Sequence, residues 1–175
     1  MTFRIAPVEP GTRPQLASIE SRILATRGRI TTLYQVLLNS PPVVDGWEAM
    51  LTAIRQKTSV APRVREMIIL RVAVLNRAPY EFEAHVPHAR AAGMPDAVIE
   101  GLRTYAAPDA VAGLEPGERE VLALTDAMTR DIEVPDEVFE PLRKHFDEQA
   151  LIELTATVAA YNMVSRFLVA LRIGH

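Results

Sequence analysis

The chain has 175 residues, 49% of them hydrophobic, with a formal net charge of −3 and a pI near 5.8; this length suits one substantial core, and the charge offers no basic field for nucleic acid. It contains no cysteine, which removes disulfides, thiolate nucleophiles, zinc–thiolate sites and CxxC redox chemistry together. The N-terminal MTFRIAPVEP has no apolar run of signal-peptide length, and the longest helical apolar segment, Leu154 to Ser165, spans 12 residues between Glu153 and Arg166. Neither an export signal nor a membrane span is expected, and the default address is cytoplasmic.

Residues 1–13 mix Pro7, Pro10, Gly11 and Arg13 without periodicity and read as an extended arm lying over the body or a neighbouring subunit. Pro14 suits a helix start, and Leu16, Ile19, Ile23 and Leu24 give that helix one apolar edge as far as Gly28. A shorter helical pattern runs through Ile30, Leu33, Val36 and Leu37 and stops before Pro41-Pro42. From Val43 to Gln56 the residues Val43, Trp47, Met50, Leu51 and Ile54 recur at core-facing helical spacing. Pro62 opens a central helix, since its missing N–H costs nothing in a first turn. Pro95, Pro116 and Pro135 repeat that start signal, each followed by acids that suit the positive end of a helix dipole, and predict helices over 95–105, 116–130 and 135–146. Asp147 caps a last helix of ~25 residues, or ~38 Å, ending near Arg172. No strand-length alternation is present. The expectation is an all-α bundle of about eight helices forming a single domain over 1–175, with no linker, low-complexity tract or strict repeat.

The chain is organised around Arg63 to Gly93, RVREMIILRVAVLNRAPYEFEAHVPHARAAG, read as two helices joined at Ala78-Pro79. The first, over 61–78, is apolar on every side, the mark of a buried helix, and carries Glu66 on the stripe of Leu70 and Ala73. Burial there favours the neutral carboxyl and suits a general acid or base; the alternative is a structural carboxylate paired with Arg63 or Arg77. The second helix places Glu81, His85 and His88 on one stripe at i, i+4 and i+7. Pro87 cannot donate to the Glu83 carbonyl and predicts a kink just beyond His85. Glu83 and Arg90 project to the opposite side and read as a solvated or interface pair. In the last helix Asn162 sits between Leu151, Val158 and Val169, either bonded to a neighbouring helix or lining a pocket.

The spacing of Glu66, Ala78-Pro79-Tyr80-Glu81 and His85 resembles the signature of the carboxymuconolactone decarboxylase/AhpD-like superfamily, and LRVAVLNRAPYEFEAHVPHARAAGM is similar to its decarboxylase-like branch. LTDAMTRDIEVPDEVFEPLRKHF and ELTATVAAYNMVSRFLVAL resemble the C-terminal helices of longer members, so the likeness covers about 45–172. In the AhpD branch two redox cysteines occupy the positions of Ala78 and Glu81, with a histidine in place of Tyr80. This chain keeps Glu66 and His85 without a thiol, which argues against the family's thiol peroxidase route.

The resemblance implies an AhpD-like fold and a cofactor-independent carboxy-lyase acting on a small carboxylated lactone or related acid. His85, Glu66 and Glu81 would be the catalytic residues, with Tyr80, His88, Arg71, Arg77, Asn162 and Arg166 as substrate-binding candidates. It also implies a homo-oligomer, whether dimer, trimer or hexamer, with active sites near subunit contacts and neither metal nor other cofactor. The rival expectation is a non-catalytic scaffold or small-ligand-binding protein of the same fold. An enzyme should direct Glu66, Glu81 and His85 at a pocket, whereas a scaffold should close them into ion pairs.

Overall fold

The structure, a computed structural model, describes residues 3–104 and 107–174. Residues 1 and 2 of the expected arm, and residue 105 of the expected 95–105 helix, lie outside the described residues. Within these limits the chain is all-α, with nine α-helices, three short 3-10 turns and no strand. It groups into two compact units, Met1–Lys57 with Leu168–His175, and Thr58–Phe167.

The first unit holds α1 (Ala17–Arg27), α2 (Thr32–Leu37) and α3 (Pro41–Gln56). Gly28 ends α1 at φ 72°, the left-handed conformation that stops a helix and is open to glycine. Pro41 and Pro42 lie inside the first turn of α3, so the helix begins two residues before its apolar pattern. The buried edge of α3 is Val44, Trp47, Glu48, Leu51 and Ile54; Val43 and Met50, expected in the core, are exposed, as is Leu24 of α1. Glu48 is tolerated inside because Arg27 Nε (2.7 Å), Thr52 Oγ1 (2.8 Å) and the Tyr34 hydroxyl all donate to it. The described part of the arm lies on its own chain. Val8 is buried and donates to Gln35 O at 2.9 Å, and Arg4 N–H donates to Leu171 O at 3.2 Å.

The second unit is built on α4 (Pro62–Leu75), which packs against α5 (Pro79–Ala91), α6 (Asp96–Arg103) and α7 (Glu118–Arg130). Every residue from Glu66 to Ala73 is buried, as an all-round apolar helix requires. The helix ends at Leu75 rather than at 78, and Arg77 turns the chain at φ 56° into Pro79. α5 continues through Pro87 to Ala91. The predicted 135–146 helix is shorter than expected: α8 covers Asp136–Phe139 and gives way to a 3-10 segment, Glu140–Lys144. Pro141 has no N–H for the next α-helical bond and explains the break.

The last helix, α9 (Glu148–Leu171), opens on the predicted cap, with Ala150 N–H donating to Asp147 Oδ1 at 2.8 Å. By length and composition α9 is apolar enough to cross a membrane, contrary to the 12-residue estimate; half of that apolar window is buried inside the chain, as in a core helix. Leu151, Leu154, Val158, Tyr161 and Val164 form its buried face.

Candidate functional site

Glu66 lies one turn into α4, and Glu81 and His85 lie one turn apart in α5. Because α4 and α5 pack directly against each other, residues far apart in sequence meet. His85 Nδ1 is 2.6 Å from Glu66 Oε2, and its Nε2 is 3.4 Å from Glu81 Oε1. The Nδ1 contact is a short, charge-assisted bond; the Nε2 contact is at the outer limit of one. All three groups are buried, with His85 6% exposed. Burial acts to lower the His85 pKa, but the hydrogen bonds to Glu66 and Glu81, joined by their negative charge, outweigh it and raise the pKa above the ordinary histidine value. The two carboxylates therefore favour the protonated ring over the neutral one.

Two neighbours complete the setting. The Tyr161 ring from α9 meets the imidazole edge-on, with centroids 5.6 Å apart and planes at 86°. Glu66 Oε1 is 3.5 Å from Arg65 Nε. Sequence reasoning passed over both. Tyr161 is 76 positions from His85 and carries no local signal, while Arg65 was masked by its more prominent neighbours Arg63 and Arg71.

The other candidates are distributed differently. His88 is exposed, its ring centroid 5.5 Å from that of His85, and Tyr80 is half-buried at the start of α5. Arg71 is fully buried and forks onto Asp126 at 2.6 and 2.5 Å, so its carboxylate partner is internal. Arg77 and Arg166 are exposed, and Arg166 Nη2 reaches Thr129 O at 3.5 Å. Asn162 adopts the interhelical role: it donates to Thr129 Oγ1 at 2.9 Å and accepts from Asn76 Nδ2 at 2.9 Å, joining α9 to α7 and to the end of α4. Arg63, proposed as a partner of Glu66, instead clamps Glu118 at 2.6 and 3.0 Å. The expected Glu83–Arg90 pair does not form, because Arg103 takes Glu83 and Asp96 takes Arg90 at 2.8 Å. Among the described residues no three imidazole or carboxylate groups cluster in a metal-holding arrangement.

One cavity among the described residues is separate from these side chains. It is an open, apolar space of about 600 Å³ between α9 and the α8 region, lined by Phe139, Arg143, Glu148, Leu151, Ile152, Thr155, Ala156 and Ala159.

The geometry has counterparts in known proteins. A family model, the carboxymuconolactone decarboxylase family, matches residues 41–127, which include Glu66, Glu81 and His85. An uncharacterised Bacillus subtilis protein, YdfG, is 26% identical over 118 residues, 66% of this chain and 78% of that protein. Among solved structures, an Agrobacterium tumefaciens protein of unknown function, described as an AhpD-type antioxidant defence candidate, is 25% identical with TM-score 0.71 over 78% of this chain and 92% of its own. Two others share the fold at lower identity. A peroxidase-related protein with an AhpD core from Ralstonia eutropha has TM-score 0.82 at 19% identity over 98% of this chain and 90% of its own. A debrominase bound to 2,3,4-tribromopyrrole has TM-score 0.80 at 16% identity over 98% of this chain and 91% of its own. The chain belongs to the carboxymuconolactone decarboxylase/AhpD-like superfamily, among its members without the redox cysteines.

Proposed function

We propose that the chain is a carboxy-lyase of this superfamily, in which His85, held between Glu66 and Glu81, transfers a proton during decarboxylation of a small carboxylated lactone or related acid. One observation carries the reading: a buried imidazole with a carboxylate on each nitrogen. Replacing such a group of charges by apolar side chains is often neutral or stabilising, so stability alone is a poor reason to keep it, and a buried titratable cluster is a functional-site signal. Loss of CO₂ beside a lactone carbonyl leaves the electron pair of the broken C–C bond as an enolate. The imidazolium gives that carbon a proton, becomes neutral, and is recharged from solvent. Glu66 holds Nδ1 tightly, so the proton on the looser Nε2 side is the one to deliver, and Glu81 guides the ring back. No cofactor is needed for this sequence of steps, and the chain has no cysteine for the thiol route.

A second reading, a non-catalytic scaffold or small-ligand-binding protein, is favoured by one specific observation. The three groups are closed onto each other in the single subunit, while one apolar cavity among the described residues lies elsewhere. A screen of carboxylated lactones and of β-keto and aromatic acids for CO₂ release separates the two. Turnover that disappears in folded His85→Ala supports the lyase; turnover unchanged in that variant makes His85 structural, and none with any substrate supports the scaffold.

The same proposal includes a homo-oligomer. Ile152 and Met163 of α9 are exposed at 71% and 37%, on the side of the helix away from its buried face.

A further inference from the structure

Three arginines of α4 project from one helix into different surroundings. Arg63 is hydrogen-bonded throughout, to Glu118 and to the carbonyls of Gly93 and Gly113. Arg71 is forked onto Asp126. Arg65 makes no side-chain hydrogen bond among the described residues, although its Nε is buried and only 14% of its side chain is exposed. Its charge partner is Glu66 Oε1 at 3.5 Å, and the other oxygen of that carboxylate holds the His85 ring. A guanidinium donates in a planar fork that matches two oxygens of one anion, and a half-buried one without acceptors stands in a position to take them from a ligand.

We propose that Arg65 is the anion-anchoring residue of the site and binds the carboxylate of a small monocarboxylic acid next to the Glu66–His85 pair. The inference rests on the functional reading above for its setting, and on Arg65 alone for its ligand class. A carboxylate is favoured over a phosphate because Glu66 and Glu81 already place two negative charges there. Arg65 and a protonated His85 only offset these two carboxylates, so a bound monoanion leaves one net negative charge and a dianion two, which disfavours the dianion more.

Benzoate serves as the probe, with benzamide as its neutral counterpart and inorganic phosphate as the dianion arm, in calorimetric titrations and in NMR spectra of the histidine ring resonances. The expected result is saturable benzoate binding that shifts the His85 ring signals, weakened at least about tenfold in Arg65→Gln and partly kept in Arg65→Lys, with benzamide and phosphate much weaker. Arg130→Gln, on an exposed side chain, should bind benzoate like the wild type. Should Arg65→Gln fail to fold, benzoate protection of Arg65 from phenylglyoxal in the wild-type chain, mapped by mass spectrometry, gives the same answer. No saturable benzoate binding, equal binding by Arg65→Gln, or benzamide binding as well as benzoate overturns the assignment. The two proposals fail separately: benzoate bound at Arg65 without CO₂ release from any acid removes the lyase reading alone. His85-dependent turnover with unchanged KM in Arg65→Gln removes the anchoring role alone.

Discussion

His85 shows how two opposing effects set the state of one side chain. Desolvation disfavours the imidazolium, and two adjacent carboxylates favour it more. The folded pKa therefore stands above the unfolded value of about 6.5, so this group's contribution to stability is complete below that value and is lost as pH rises through the folded pKa. Thermal denaturation of wild type and His85→Gln across neutral and alkaline pH should show the wild-type advantage shrinking as pH rises; an advantage that grows would contradict the assignment. Glu66→Ala removes the tighter of the two partners and leaves the buried His85 ring with Glu81 only. Denaturant titration at neutral pH should show a loss of about 3–5 kcal/mol, the usual cost of breaking a buried pair from one side.

At the scale of elements, helix starts and stops follow local chemistry where that chemistry is complete. Gly117 precedes α7 at φ 86°, and a Cβ there would lie 3.1 Å from His145 Cβ and Cγ and 3.3 Å from the Phe146 ring. Gly117→Ala thus combines a left-handed backbone with a close contact, and should lower stability by more than about 1 kcal/mol by chemical denaturation. The Asp147 cap of α9 is simpler. Removing its carboxylate in Asp147→Ala leaves the Ala150 N–H to water and should cost about 1 kcal/mol, with the oligomeric mass unchanged.

For the whole molecule, α9 has two roles that its composition does not separate. One face supplies Leu154, Val158 and Tyr161 to the interior, and the other exposes Ile152, Ala156, Ala159 and Met163. Under the proposed homo-oligomer, light scattering should return a multiple of 19.4 kDa, and Ile152→Asp with Met163→Asp should shift the mass toward the monomer without loss of helical content. A wild-type monomer at micromolar concentration, measured the same way, counts against that assembly.

Periodicity, proline placement and the Asp147 cap, all readable in the sequence, were enough to determine an all-α chain, the buried character of α4 and the start of α9, because each depends on residues within one or two turns. The same locality made the Glu81–His85 pair legible, one turn apart on α5. Helical phase could also place Glu66 on the apolar stripe with Leu70 and Ala73, and the family spacing of Glu66 and His85 pointed to their approach, which the 2.6 Å contact bears out. Only packing decided that Arg63 leaves Glu66 for Glu118, that Arg71 belongs to Asp126, that Glu83 and Arg90 part company, and that Tyr161 flanks the imidazole. A long charged side chain can reach several neighbours from one backbone position, so the partner is chosen by which helix lies alongside, and that information is spread over the whole core rather than held in any single stretch.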